Sequence, residues 1–314
     1  MAHRTPVLRS ATLDEAVGAS VALKMESFQR SGSFKFRGAW SRLAAMDPET
    51  LRRGVVAYSS GNHGQAVALA ARLAGTRATV LVPQDAAPVK TAAVAHYGAE
   101  ILTYVRGQDD RVGLAESLCV RRGLTLVPPY EDRLVMAGQG TAALELLDEV
   151  GELDVLLVPV GGGGLVAGCA VATSASQPGT RVVGVEPAGA DDTFRSLQAG
   201  RRLSVRGPAS IADGLLAETP GELTFEVNRR LLSGVLTVSE QEIAAAVVFL
   251  LTRCKVVVEP SGAVGVAALL SRRPELSGRR VGVIVSGGNV DPATLAEVVA
   301  LAPAAGPWSA RPCR

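Results

Sequence analysis

Short apolar runs recur along the chain, and most of them are bounded by glycine, serine, asparagine or proline. Because runs of four to eight apolar residues between turn residues are typical of buried strands, we predict strands at these positions. They cover 21–26, 55–58, 78–82, 100–104, 124–127, 155–160, 181–185 and 281–285. Segments with helical periodicity cover 65–73, 92–97, 111–122 and 141–150. This alternation predicts an α/β protein with open, mostly parallel sheets covered by helices.

Polar and glycine-rich segments follow three of the predicted strands, at 59–64, 161–164 and 286–289. In open parallel sheets, ligands bind beyond the carboxyl ends of the strands. We therefore expect these three segments to contribute to a ligand site.

Composition and charge exclude several classes of protein. The 32 Lys and Arg residues nearly balance the 30 Asp and Glu residues, and no basic block occurs, which argues against a nucleic-acid partner. No apolar stretch approaches the ~18 residues of a membrane span, and no leader pattern is present. The four cysteines lie far apart, without metal-ligand spacing. A reducing cytoplasm is the expected location.

Lys35 is the first candidate for chemistry. The chain has only four lysines, and this one lies between Phe34 and Phe36 after a Gly/Ser turn. An apolar setting lowers the pKa of a lysine amine, which then forms Schiff bases readily. The alternative is a surface lysine whose aliphatic stem covers apolar neighbours.

Four consecutive glycines, Gly161 to Gly164, separate a predicted strand from a helix. Successive glycine N–H groups can turn toward one point, and the helix start adds positive potential, so a phosphate is the expected occupant. A tight structural turn is one alternative. The other is a dinucleotide fingerprint, in which Gly162, Gly164 and Ala167 precede Glu186 at the end of the next strand.

Three further segments offer polar groups at strand ends. Ser59, Ser60, Asn62 and His63 suit a carboxylate, although a histidine there is also common as a packing residue. The Ser286 hydroxyl can meet a ring nitrogen, or it can belong to an ordinary Ser-Gly turn. The loop 186–192 gathers several oxygens that suit a hard cation, and acidic loops without metal are at least as common.

The order and spacing of these motifs resemble the serine/threonine dehydratase and serine racemase family, which are pyridoxal phosphate enzymes of fold type II. The motifs are GSFKFRGA (32–39), SSGNHGQ (59–65), AGQGT (137–141), PVGGGGL (159–165), VEP (185–187), ADG (212–214), EPSG (259–262) and SGGN (286–289). The resemblance implies a large cofactor-binding domain over 1–50 and 132–314. It implies a small, substrate-closing domain over 51–131.

The resemblance also implies roles for single residues. Lys35 and Ser60 are the expected acid/base residues, and Lys35 carries the cofactor. The other expected cofactor contacts are Asn62, Gly161, Gly162, Gly163, Gly164 and Ser286. The expected substrate contacts are Ser59, Ser60, Asn62, His63, Arg111 and Asp213. A cation site for Mg²⁺, or for Ca²⁺ or Mn²⁺, falls on Glu186, the Ala190 carbonyl and Asp192.

The implied activity is an ammonia-lyase (dehydratase) that converts a β-hydroxy amino acid, such as L-threonine, L-serine or 3-hydroxyaspartate, to a 2-oxo acid and ammonia. A serine or aspartate racemase is the main alternative. A cofactor-binding protein without turnover is a third hypothesis, and Lys35, Ser60 and Asn62 argue against it. A nicotinamide dehydrogenase is the fourth. The expected partners are a small amino acid and a second copy of the chain in a homodimer.

Overall fold

The computed structural model describes residues 1–86, 88–271 and 273–304. It divides the chain into two units. The first unit contains Met1–His3 and Gln29–Gln139, and the second contains Arg4–Phe28 and the chain from Gly140 onward. The segment 305–314, which the sequence analysis assigned to the large domain, lies outside the described residues.

The strands and helices alternate through most of the chain. The strands are β1 Val7–Leu8, β2 Ser20–Met25, β3 Val55–Tyr58, β4 Ala78–Pro83, β5 Glu100–Tyr104, β6 Thr125–Leu126, β7 Val155–Pro159, β8 Arg181–Pro187, β9 Gly234–Val238 and β10 Arg280–Val285. The helices are α1 Ala11–Val17, α2 Lys35–Ala44, α3 Pro48–Arg53, α4 Asn62–Leu73, α5 Pro88–His96, α6 Arg111–Arg122, α7 Arg133–Val150, α8 Gly164–Ser176, α9 Asp192–Ala199, α10 Glu222–Leu231, α11 Glu240–Phe249, α12 Pro260–Leu270 and α13 Pro292–Leu301.

The first unit is built on a sheet of four described strands in the order β5, β4, β3, β6. All of these neighbours pair in parallel, with Val55 opposite both Ala78 and Thr125. The predicted strands at 55–58, 78–82 and 100–104 are confirmed, because β-branched and apolar runs bounded by turns specify buried parallel strands.

Helix α2 belongs to the first unit, so this unit is larger than the predicted domain 51–131. The helix packs on α4, and Phe36 and Leu43 on its inner face are fully buried with Val67 of α4. This apolar face and the hydrogen bond from the Gly38 N–H to the Gln139 side chain join α2 and the start of α7 to the small sheet. The division of the chain therefore falls at Gln29 and Gln139.

The second unit contains a sheet of six described strands in the order β1, β2, β10, β7, β8, β9. Strand β1 is antiparallel to β2, and the other neighbours are parallel. Helix α12 is buried at every position and packs against the sheet, which explains why its sequence is apolar apart from Ser261. Both sheets confirm the predicted class of mostly parallel α/β architecture.

Lys24 is a fully buried lysine in β2 of the second unit. Its ammonium nitrogen lies 2.7 Å from a carboxylate oxygen of Glu145 and donates to the Thr5 carbonyl at 2.6 Å. A buried ammonium is tolerated only where it is paired in this way. Lys24 therefore ties β2 to α7 and to the N-terminal segment.

Helix α7 and strand β9 are two of the elements that differ from the sequence-based expectation. Helix α7 begins at Arg133, eight residues before the predicted start at 141, and strand β9 was not predicted. The glycines in 137–141 lie inside the helix, where they allow close contacts. A Cβ on Gly140 would lie only 2.5 Å from the carbonyl oxygen of Gly168 in α8. Within the described part of the chain, no helix combines the length and apolarity of a membrane span.

The substitution Gly140→Ala tests this helix contact. We expect a loss of roughly 1–3 kcal/mol in the free energy of unfolding, because α7 and α8 must separate to admit the methyl group. Urea unfolding followed by circular dichroism measures the loss. Gly179→Ala is the matched control, since nothing lies within 4 Å of the added Cβ. Equal stability of both variants would contradict the close packing of α7 on α8.

Candidate active site

The loop 59–61 of the first unit joins the end of β3 to the start of α4. The Ser59 hydroxyl accepts a hydrogen bond from the Gly61 N–H at 3.1 Å, and the Ser59 N–H donates to Leu81 at 3.0 Å. A Cβ on Gly64 would collide with the Ser59 carbonyl, so the helix start approaches the loop very closely. The result is a narrow turn fixed by backbone contacts.

This turn has the properties of an anion site. The first N–H groups of a helix have no partner within the helix, and the helix dipole adds positive potential there. The side chains of Ser59, Ser60 and Asn62 are half-buried and therefore reachable. Hydroxyls and backbone donors at the start of α4 are of the types that bind a carboxylate, and this role stays a prediction.

His63 lies in the first turn of α4, and its ring is buried. The Nε2 atom lies 2.8 Å from the Val127 carbonyl oxygen, which can only accept, so Nε2 carries the proton. The Nδ1 atom has no hydrogen-bond partner within the described chain. Burial first, and then the charge of Lys35, lower the pKa of His63 to about 3. The ring is therefore neutral and structural, and His63 can offer a substrate only its backbone N–H.

Lys35 is the first residue of α2 in the same unit. Its amine donates a hydrogen bond to the Pro129 carbonyl at 2.9 Å and lies 5.1 Å from the centre of the Phe34 ring. The next residue, Phe36, is fully buried and fixes the helix start. The lysine is half-buried, so its amine remains accessible. The charge of Lys35 is one of the causes that lower the pKa of His63, which belongs to the first turn of α4.

Arg111 is the first residue of α6, and its guanidinium lies 5.6 Å from the centre of the Tyr58 ring. Tyr58 immediately precedes the Ser59 turn. Burial is the main cause that raises the pKa of Tyr58 to about 12, so its hydroxyl stays neutral. The ring thus holds an exposed cation beside the end of β3.

The glycine loop 161–164 of the second unit joins β7 to the 13-residue helix α8. Gly163 has a φ of 90°, which only glycine adopts readily, and a Cβ there would lie 2.8 Å from the amide nitrogen of Asn228. A Cβ on Gly161 would lie 3.2 Å from the Gly214 carbonyl oxygen. Gly163 therefore fits its surroundings only as glycine, and the backbone N–H groups of such a loop at a helix start are suited to an anion.

Ser286 follows the last residue of β10 and is buried. Its hydroxyl lies 3.5 Å from the Ser261 carbonyl oxygen, and the Ser261 hydroxyl accepts from the Gly214 N–H at 2.9 Å. Asp213, one residue earlier, is exposed. Since Gly214 also touches Gly161, these contacts connect Ser286 and Asp213 with the glycine loop.

Glu186, Ala190 and Asp192 lie at the end of β8 and the start of α9, and all three are buried. Glu186 accepts from the N–H groups of Thr193 and Phe194 at 3.1 and 2.9 Å. Burial, with the charge of Asp192, raises the pKa of Glu186 to about 8. Burial raises the pKa of Asp192 to about 7, and both of its carboxylate oxygens lack partners in the described chain.

These oxygens have the chemistry that a hard cation requires. Two buried, charge-repelling carboxyl groups are unfavourable when ionised, and a divalent cation would remove that penalty. The described residues contain no cluster of three or more His, Cys, Asp or Glu side chains suited to a metal. A cation here would therefore depend on two carboxylates and the Ala190 carbonyl.

The predicted site residues fall into two groups, one on each unit. The first unit holds Lys35, Ser59, Ser60, Asn62, His63 and Arg111, and the second holds Gly161, Gly162, Gly163, Gly164, Glu186, Ala190, Asp192, Asp213 and Ser286. Sequence reasoning missed the Pro129 carbonyl, because a backbone acceptor has no side-chain signature. It also missed Thr224 and Asn228, whose spacing of four residues within a helix was the available signal.

The pKa of His63 predicts an acid-sensitive fold. Between pH 6.5 and about 3 the unfolded histidine binds a proton that the folded one does not, so stability must fall as the pH falls through this window. We expect an extra loss of about 1.4 kcal/mol per pH unit relative to His63→Gln, measured by urea unfolding from pH 7 to pH 4. His96→Gln, at an exposed position, is the control. Parallel pH curves for wild type and His63→Gln would contradict this explanation.

Comparison with known proteins identifies the family. Residues 2–287 match the family described as pyridoxal-phosphate dependent enzyme. The chain is 46% identical to L-threo-3-hydroxyaspartate ammonia-lyase of Saccharomyces cerevisiae, over 92% of this chain and 89% of the relative. It is 42% identical to serine racemase of Schizosaccharomyces pombe, over 92% and 90%. The solved structure of maize serine racemase is 41% identical and superposes with a TM-score of 0.91 over 94% of this chain and 91% of that one. The chain therefore belongs to the pyridoxal-phosphate dependent enzyme family.

Proposed function

We propose that this protein is an ammonia-lyase that converts a β-hydroxy amino acid to a 2-oxo acid and ammonia, with L-threo-3-hydroxyaspartate as the favoured substrate. One observation carries the proposal. In the first unit the Lys35 amine donates to the Pro129 carbonyl at 2.9 Å, and the His63 ring at the start of α4 lies 2.8 Å from the Val127 carbonyl oxygen, so one backbone segment connects an amine base with a helix start suited to a carboxylate. Two relatives named for L-threo-3-hydroxyaspartate, 46% and 47% identical, support the choice of substrate.

Pyridoxal phosphate, when bound, supplies an electron sink for the charge that develops on the substrate's Cα. In the proposal Lys35 holds the cofactor's aldehyde carbon, and Asn62 contacts its phenolic oxygen. The loop 161–164 holds the phosphate, and Ser286 contacts the ring nitrogen. The geometry of the loop supports this assignment. Only glycine readily adopts the backbone conformation at position 163, and the start of α8 favours an anion.

The substrate's α-carboxylate is assigned to the start of α4. The hydroxyls of Ser59 and Ser60, the amide of Asn62 and the backbone N–H of His63 are its proposed donors. The second carboxylate of 3-hydroxyaspartate is assigned to Arg111, which the Tyr58 ring holds beside this turn. Asp213 is also assigned to substrate binding.

In the proposal the Lys35 amine would hold the cofactor only until the substrate's amino group takes its place, and the freed amine would then remove the α-proton. The Pro129 carbonyl accepts an N–H of this amine at 2.9 Å, which orients the amine within the first unit. The Cβ–O bond would then break, and the hydroxyl would leave as water with the proton that Lys35 took from Cα. The enamine product tautomerises to an imine, and a water molecule hydrolyses the imine to a 2-oxo acid and ammonium.

Racemisation of serine or aspartate is the second candidate. The observation that favours it is Ser60, whose half-buried hydroxyl lies in the same unit as Lys35 and can deliver a proton to Cα. The 42% identity to the serine racemase of Schizosaccharomyces pombe also supports racemisation. In this case the product keeps its hydroxyl and changes its chirality.

A divalent cation, Mg²⁺ or alternatively Ca²⁺ or Mn²⁺, is proposed at Glu186, the Ala190 carbonyl and Asp192. The two partnerless oxygens of Asp192 support the assignment. The cation would neutralise the acidic loop and hold the start of α9 against β8. Its role is therefore structural.

A homodimer in the cytoplasm completes the proposal. Cys119, Cys169 and Cys254 form no disulfide among the described residues, which suits a reducing compartment. Sedimentation velocity tests the dimer directly.

A panel of amino acids tests the activity. We expect release of 2-oxo acid and ammonia from L-threo-3-hydroxyaspartate, and slower release from L-serine and L-threonine.

Lys35→Ala should lower the rate by at least about 100-fold, because it removes the base. Arg111→Met should raise KM for 3-hydroxyaspartate about 10- to 100-fold and leave L-serine nearly unchanged, because one charge-assisted contact is lost. Absence of 2-oxo acid from every substrate, with cofactor bound, would refute the lyase, and a D-amino acid product would then support the racemase.

Removal of metal tests the cation site. We expect EDTA to lower the thermal midpoint and Mg²⁺ to restore it, since ligand at 100 times its Kd contributes about 2.7 kcal/mol. Asp192→Asn should abolish this difference, whereas Asp85→Asn, at an exposed position, should retain it. A thermal midpoint that is insensitive to EDTA in the wild type would exclude the site.

A further inference from the structure

Helix α10 binds the back of the glycine loop through Thr224. The Thr224 hydroxyl donates to the Gly162 carbonyl oxygen at 2.7 Å. The Gly221 N–H, just before the helix, points to the same oxygen at 3.4 Å. This carbonyl is therefore directed toward α10 by a side chain 62 residues away along the chain.

The direction of that carbonyl fixes the direction of the next N–H group. The C=O of Gly162 and the N–H of Gly163 belong to one planar trans peptide unit, so they point to opposite sides. With the carbonyl bound to α10, the Gly163 N–H must point away from α10. Glycine neighbours leave this peptide many other orientations, so an external contact is needed to select one.

Asn228 lies one turn further along the same face of α10. It is fully buried, and its amide nitrogen is 2.8 Å from where a Cβ of Gly163 would be. Neither its amide nitrogen nor its amide oxygen has a hydrogen-bond partner among the described residues. Asn228 therefore contacts the loop by packing, and it prevents Gly163 from moving toward α10.

We propose that Thr224 is a positioning residue of the cofactor's phosphate site. It holds the Gly162 carbonyl so that the Gly163 N–H is directed at the phosphate, and Asn228 supports Gly163 from behind. This inference rests on the proposed function, in which the loop 161–164 holds the phosphate. It adds a residue of α10 that makes no contact with the cofactor itself.

A purely structural role for Thr224 predicts a different result. In that case its hydroxyl anchors α10, and its loss lowers stability without a specific effect on the cofactor. Thr180 provides the comparison, because its buried hydroxyl donates to the Leu153 carbonyl at the same distance, 2.7 Å, at the opposite end of β7. The two hydroxyls thus lie at the same distance from a backbone carbonyl in different places, and the Thr180 hydroxyl also lies 3.2 Å from the Gln177 side-chain oxygen.

The experiment compares Thr224→Val, Thr224→Ser and Thr180→Val after removal of the cofactor. Pyridoxal phosphate is titrated back, and its visible absorbance gives Kd, while the ³¹P NMR shift reports the phosphate environment. We expect Thr224→Val to raise Kd about 10-fold, as for one lost hydrogen bond. Thr224→Ser keeps the hydroxyl and should restore Kd to within about threefold, with a wild-type ³¹P shift. Thr180→Val should lower the thermal midpoint and leave Kd unchanged.

Asn228→Asp and Gly163→Ala separate this inference from the proposed function. Asn228→Asp introduces a carboxylate of the same shape behind the loop and should raise Kd by about 10-fold or more through repulsion of the phosphate. If these two variants weaken binding and Thr224→Val does not, the role of Thr224 is refuted and the phosphate loop stands. If all three bind with the wild-type Kd, the phosphate lies elsewhere, and both proposals are wrong.

Discussion

Parallel strand pairing is the constraint on which the second unit depends. Val285 of β10 is opposite Met25 of β2, and Pro159 of β7 is opposite Val185 of β8. Because these strands run in one direction, the segments that follow them emerge at one edge of the sheet. The glycine loop, the acidic loop and Ser286 are three such segments. Their proximity is therefore a consequence of register, although they are up to 125 residues apart in the chain.

The first unit contains the Lys35 cation, the neutral His63 ring and the start of α4, and the three are compatible with one another. Burial keeps His63 neutral, and the charge of Lys35 acts in the same direction. A neutral ring can stay bonded to Val127 while the amine of Lys35 is bonded to Pro129, two residues later. One short backbone segment thus orients both groups. The positive charge of Lys35 also adds to the anion-binding potential of α4.

Much of the fold was predictable, because its strands are short apolar runs between turn residues. The misses have physical causes. Helix α7 begins at Arg133 because the glycines in 137–141 serve helix contacts, and glycine spacing alone does not distinguish a contact from a boundary. Strand β9 has only five residues, and its pairing with β8 specifies it more than its own composition does. The resemblance to a family gave the overall architecture.

The sequence by itself determined the chemistry that each segment can offer, since glycine runs, a serine-rich turn and a lysine between phenylalanines are local properties. Only the tertiary structure decided how those groups are used. Lys24 is fully buried, while Lys35 stays accessible, and Nε2 of the His63 ring is bonded to the backbone. The hydrogen bond from the Thr224 hydroxyl to the Gly162 carbonyl is also a product of the tertiary structure. Burial and hydrogen-bond partners depend on atoms from distant parts of the chain, and no local pattern encodes which distant atoms will meet.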